Sequence, residues 1–178
     1  MIRASLIVVG LCLCLASHVA VAQTSGASLT AAAKRTSDFI KGNIIKSAEK
    51  MPEENYSFQP TPEVRTFGAM LGHIANSNYR FCSQADGGAN PARTDIEKTA
   101  TSKADLVKAL TESFAYCDGV FAKMNDKTGG ELVKFPGGDM PKLGVLGVNT
   151  AHNFEHYGNL ITYLRIKGLV PPSSERAR

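Results

Sequence analysis

Four stretches of the chain repeat apolar residues three and four positions apart, and segments rich in glycine, proline and polar residues separate them. The first covers about residues 28–51, with a weakly apolar row of Leu29, Ala33, Thr36, Ile40, Asn43, Ile44 and Ser47, and Pro52 ends it. The second is expected to start with Thr61 as N-cap and Pro62 as the first helical residue. Its stripe is Val64, Phe67, Leu71, Ile74, Asn78 and Phe81, and Asp86-Gly87-Gly88 breaks it near Gln84. The third starts at Ser102, with Asp105 three residues on in a near capping box. It has the most regular stripe: Leu106, Val107, Leu110, Ser113, Phe114, Cys117, Val120, Phe121 and Met124. The fourth covers about residues 141–168.

This pattern predicts an all-α four-helix bundle over residues 23–170, with residues 171–178 as a flexible polar tail. Residues 85–101 make a polar connection that is long for two adjacent antiparallel helices. It therefore reads as a crossover, with the second and third helices running parallel. Residues 132–135 read as briefly extended before a turn at Pro136-Gly137-Gly138.

The leading segment changes the picture. A positive start at Arg3, an apolar run over residues 6–15 and Ala20-Val21-Ala22 predict a signal peptide over residues 1–22, and so an exported bacterial protein, periplasmic or secreted. Of four histidines, His73, His152 and His156 remain in the mature chain, and of four cysteines, Cys82 and Cys117. Length (178 residues), a 43% apolar fraction and a formal charge of +4 suit one soluble domain. Lys and Arg are scattered and not interleaved with aromatics, so neither a nucleic-acid partner nor stable membrane insertion after cleavage is expected. The glycine pairs mark turns without a phosphate-binding pattern.

His152 and His156 lie four residues apart, so both imidazoles leave one helix face. Val145, Val148, Asn159 and Tyr163 continue the row, which reads as an inward seam. Such a pair is a common way to hold a transition metal. Glu155 lies roughly 60° around the helix from His152. It is either a general base beside the metal, a partner orienting an imidazole, or a solvated surface carboxylate. Asn76, Ser77, Tyr79, Asn159 and Tyr163 are weaker candidates for lining a pocket. The string His152-x-x-Glu155-His156 also fits the inverted zinc-peptidase motif. That class needs a further acidic ligand downstream, and only Glu175 follows, so it is not expected. Cys82 and Cys117 sit on core stripes. They are either two small buried hydrophobes or a disulfide joining the second and third helices, with a free thiol on the metal as a third choice.

The segments Leu71-Gly72-His73-Ile74-Ala75 and His152-Asn153-Phe154-Glu155-His156-Tyr157-Gly158-Asn159, continuing to Tyr163-Leu164-Arg165, resemble the DinB-like superfamily over essentially the whole mature chain. The resemblance implies a DinB-like four-helix bundle, often a homodimer, in which His73, His152 and His156 hold a divalent transition metal such as zinc, nickel or iron. Some similar members transfer low-molecular-weight thiols. Members often carry Arg-Gly-Gln after the last histidine, where this chain has Tyr157-Gly158-Asn159. Three protein ligands leave a coordination position open, the pattern of a catalytic site. The leading expectation is a metal-dependent, hydrolase-like enzyme acting on a small molecule. The alternative is a non-catalytic metal-binding or interaction bundle of the cell envelope. Thiol S-transferase-like activity is the third choice, and export counts against it, because cytosolic thiol cofactors are scarce outside the cytoplasm.

Overall fold

Each long helix buries one stripe, and the four stripes face one another. In the computed structural model, which describes residues 28–175, the bundle is made of α1 (Leu29–Lys50), α2 (Phe67–Asp86), α4 (Lys103–Ala122) and α6 (Lys142–Ile166). Two four-residue helices, α3 (Ile96–Thr99) and α5 (Asp126–Gly129), lie in the connections. A short antiparallel hairpin pairs β1 (Leu132–Val133) with β2 (Met140–Pro141). The expected signal peptide lies outside the described residues. Among the described residues no helix is long and apolar enough to cross a membrane.

Cross-helix partners give the directions. Asn78 meets Ser113 and Cys82 is bonded to Cys117, so partner numbers rise together and α2 runs parallel to α4. His73 meets His152, whereas Asn78 meets Asn149, so α2 and α6 are antiparallel. The long connection is therefore a crossover, as its length predicts.

The core falls into two apolar clusters. The larger includes Ile40, Ile44, Phe67, Leu71, Ile74, Leu110, Phe114, Leu160 and Leu164. The smaller includes Phe81, Cys82, Cys117, Val120, Val145 and Leu146. Between them lies a buried polar layer, in which Asn78 donates to the Ser113 hydroxyl and its amide oxygen accepts from both Asn149 and Asn153. Burying an amide is costly unless it is hydrogen-bonded, so this layer fixes the register of α2, α4 and α6.

Three expectations need correcting. Helix α2 starts at Phe67, not Pro62: Thr66 is its N-cap, accepting from the Ala69 amide at 3.1 Å. The Phe67 and Gly68 amides bond back to the carbonyls of Phe58 and Tyr56, each at 2.8 Å, so the helical ladder cannot extend upstream. Val64, assigned to the core stripe, is consequently exposed. The third helix, whose stripe was expected to run to Met124, ends at Ala122, and the separate α5 follows it. Helix α5 has an Asn125–Thr128 capping box, and the Asp126 carboxylate accepts from Ser28 Oγ, Leu29 N and Thr30 N at the start of α1. Third, residues 171–175, expected in the flexible tail, pack back on the bundle. Pro172 is buried, the Tyr157 hydroxyl donates to Ser173 Oγ at 2.8 Å, and Lys50 pairs with Glu175.

Candidate metal centre

The histidine pair on α6 and the single histidine on α2 meet where these antiparallel helices pack. His152 Nε2 lies 3.1 Å from His73 Nε2 and 3.0 Å from His156 Nε2. All three ligand atoms fall within 4.8 Å of one another. Phe81 packs edge-on against the His152 ring. The row expected to be the inward seam largely faces inward: Val145, His156 and Tyr163 are buried, Val148 and His152 are partly buried, and Asn159 is exposed, while Asn149, Asn153, Leu160 and Leu164 complete the buried face. His73 and His152 stand half-buried at the rim of the core.

The donor set fits a cation. A ring nitrogen carries either one in-plane lone pair or one hydrogen, so His152 Nε2 can hydrogen-bond to one of its two neighbours, not to both. A cation between the three nitrogens satisfies all of them at once. With metal–nitrogen bonds of about 2.0–2.1 Å, tetrahedral ligand atoms stand roughly 3.3 Å apart, close to the 3.0 and 3.1 Å that separate His152 Nε2 from its two neighbours. Burial, the largest cause at each ring, pushes His152 down to about 4 and His73 and His156 below their ordinary value; the neighbouring rings add to it at His152 and His156, and the Arg65 guanidinium adds to it at His73, where Glu97 opposes it. All three are thus held as neutral imidazoles, the form that binds metal.

The surroundings of the three rings differ. His152 and His156 have buried Nδ1 atoms with no hydrogen-bond partner. His73 Nδ1 instead lies 3.3 Å from Glu97 Oε2. Glu97 comes from α3 in the crossover. It was not anticipated from the sequence, because a polar connection has no periodicity to mark a position. One local signal existed in Gly72, next to His73. A Cβ there would stand 2.6 Å from Glu97 Cα, so only glycine lets α3 come this close. Asn76, a weak pocket candidate, holds α3 in place: its oxygen accepts the Ile96 amide at 3.0 Å, and its nitrogen donates to Asp95 at 2.7 Å.

An open cleft of about 730 Å³ adjoins His156, lined among others by Arg65, Met70, Glu97, Glu155, Asn159 and Tyr163. Glu155, the candidate base, is exposed and stands in this wall beside His156. A smaller cleft of about 350 Å³ opens on the other side, over His73, Asn76, Ser77 and Arg80. Tyr79 lines neither of these two clefts and packs against Tyr116. Cys82 and Cys117 are bonded, with Cα atoms 5.3 Å apart, inside the smaller core cluster.

The same architecture occurs in solved structures. A DinB-like protein from Bacillus cereus superposes with a TM-score of 0.70 at 18% identity, covering 82% of this chain and 96% of that one. The DinB-like YjoA of Bacillus subtilis gives 0.64 at 18% identity, covering 80% and 99%. By sequence, the uncharacterized protein YjoA of Bacillus subtilis is 27% identical over 123 residues, which is 68% of this chain and 79% of that protein. The family model of the DinB superfamily matches residues 41–160, a span that contains all three histidines. Carrying that match over most of its bundle, the chain belongs to the DinB superfamily.

Proposed function

We propose that the protein is an exported metal-dependent enzyme of hydrolase type, acting on a small molecule held in the cleft beside His156. The observation that carries this reading is the convergence of three neutral imidazole nitrogens, one of them from His156 in the wall of an open cleft. A structural metal site is closed by four protein ligands, whereas a three-ligand site opening on a cleft keeps a position for chemistry. His73, His152 and His156 hold the cation, with zinc, nickel and iron all compatible with imidazole ligation. A divalent cation there supplies Lewis acidity and activates water near neutral pH. The protein's own groups divide the remaining work. Glu155 in the cleft wall is the group to accept a proton from the reacting water, and Asn159 and the Arg65 guanidinium offer donors to polar substrate atoms. The bonded Cys82–Cys117 pair supports export, since such bonds persist in oxidising compartments.

Elemental analysis of the mature protein, purified without added metal or a histidine tag, tests the site. About one equivalent of transition metal per chain is expected. Hydrolysis of small ester, amide or phosphoester substrates should then follow metal content and fall in Glu155→Gln. Absence of metal uptake from zinc, nickel or iron solutions would overturn the assignment and leave an interaction bundle.

A further inference from the structure

We propose that Glu97, delivered by the crossover, is the positioning residue of the metal centre. It accepts the Nδ1 hydrogen of His73 and so fixes that ring with its Nε2 lone pair facing His152 and His156. The inference rests on the metal-centre reading above and extends it to a part of the chain that carries no ligand.

A neutral imidazole divides its hydrogen between two nitrogens, and the partner of one nitrogen decides which carries it. Of the three rings, only His73 has a carboxylate at Nδ1, at 3.3 Å. The other two Nδ1 atoms are buried without a partner. Carboxylate–histidine–metal relays of this form orient the ring and raise its basicity.

The carboxylate is itself held. Its second oxygen, Oε1, accepts from Arg65 Nε at 2.8 Å. Arg65 is tied to α6, because its carbonyl accepts from the Tyr163 hydroxyl at 2.8 Å. The backbone of α3 is fixed from below by the bare Cα of Gly72 and from its start by Asn76. Two residues flanking His73 on α2, at positions −1 and +3, thus place one carboxylate over that same histidine. The arrangement closes a circuit: α6 to Arg65, Arg65 to Glu97, Glu97 to His73, and His73 back to His152 on α6. A crossover serving only as a connection has no need to approach α2 within a Cβ contact or to bring an acidic side chain to a half-buried ring.

The test uses the full mature chain with Zn2+ alone as probe. It compares wild type with Glu97→Ala and Glu97→Gln by chelator-competition titration, and by NMR of the ring nitrogens at fixed neutral pH in the metal-free protein. Glu97→Ala should weaken Zn2+ binding about 10–100-fold. It should also shift His73 away from the Nδ1–H tautomer while His152 and His156 keep theirs. Glu97→Gln, whose amide oxygen still accepts, should recover the tautomer and part of the affinity. The proposal is overturned if Glu97→Ala binds Zn2+ within twofold of wild type with the His73 tautomer unchanged. It is also overturned if all three rings change together, because Glu97 would then only brace the fold. If wild type itself takes up no Zn2+, the metal-centre reading fails, and the His73 tautomer still decides whether Glu97 positions that ring.

Discussion

Helix α6 supplies two histidines and α2 supplies one, and the two helices place them by different means. On α6 the spacing does the work: His152 and His156 sit one turn apart, and the helix is locked in rotation by Asn153 on Asn78 and by the buried Leu160 and Leu164. Their outer nitrogens have no hydrogen-bond partners. On α2 the single His73 depends on groups from elsewhere, namely Glu97 on α3, Arg65 in the preceding loop and the α2–α4 pairing that sets the helix in place. Two candidate ligands on one helix are specified locally, whereas the third is specified by tertiary structure. The α2 side is therefore where mutations outside the ligands should act.

The strongest way to break the comparison is His152→Ala. His152 Nε2 is the atom that both other rings approach, so its loss should reduce Zn2+ affinity beyond the roughly 10–100-fold that follows loss of an outer partner. Far-UV circular dichroism should stay near wild type, because packing of the four stripes carries the helices. Next is Cys82→Ala with Cys117→Ala, which frees α2 from α4. A bond between cysteines 35 positions apart should contribute about 3–4 kcal/mol, read by urea unfolding, with one Zn2+ site per chain retained. Gly72→Ala comes third. Its Cβ must displace the α3 backbone, at about 1–3 kcal/mol, and Zn2+ affinity should fall with Glu97 pushed away. A destabilised Gly72→Ala protein with wild-type affinity would show that the α2 ligand needs no outside support.

The smallest effect sharpens the contrast from outside the site. Asp126 caps α1, which carries no ligand, and hydrogen bonds from the Thr30 amide and Ser28 hydroxyl hold its carboxyl down at about 2, against an ordinary 3.8. The unfolded chain takes up the proton first as pH falls. This contribution is therefore full above about pH 4 and fades between about 4 and 2. Asp126→Asn should be less stable than wild type at pH 5–7, with the gap closing towards pH 2. Zn2+ binding at pH 7 should not change.

How much of this was legible in the sequence follows the same division. The four stripes, the parallel crossover and the α6 pair can be read from spacing, because helix periodicity is a local property. The start of α2 could not. Thr61 and Pro62 form a good local start signal, but the Phe58 and Tyr56 carbonyls take the amides that such a helix would use. Glu97 and Asp126 were hidden for a related reason: each acts on a residue far away in the chain, from a segment whose composition says only that it is a connection. The buried Asn149 and Asn153 were missed because amides at helical spacing look like a polar face until partners such as Asn78 are known.

The Cys82–Cys117 bond also makes the crossover part of a covalent ring. Residues 82–117 form a closed macrocycle with α3 at its far side, and its exposed stretch includes Arg93. A trypsin cut after Arg93 would open that ring without releasing either piece. The nicked protein would run as one band until reductant is added, with His73 on one fragment, Glu97 on the other, and a sulfur–sulfur bond as the only covalent link between them.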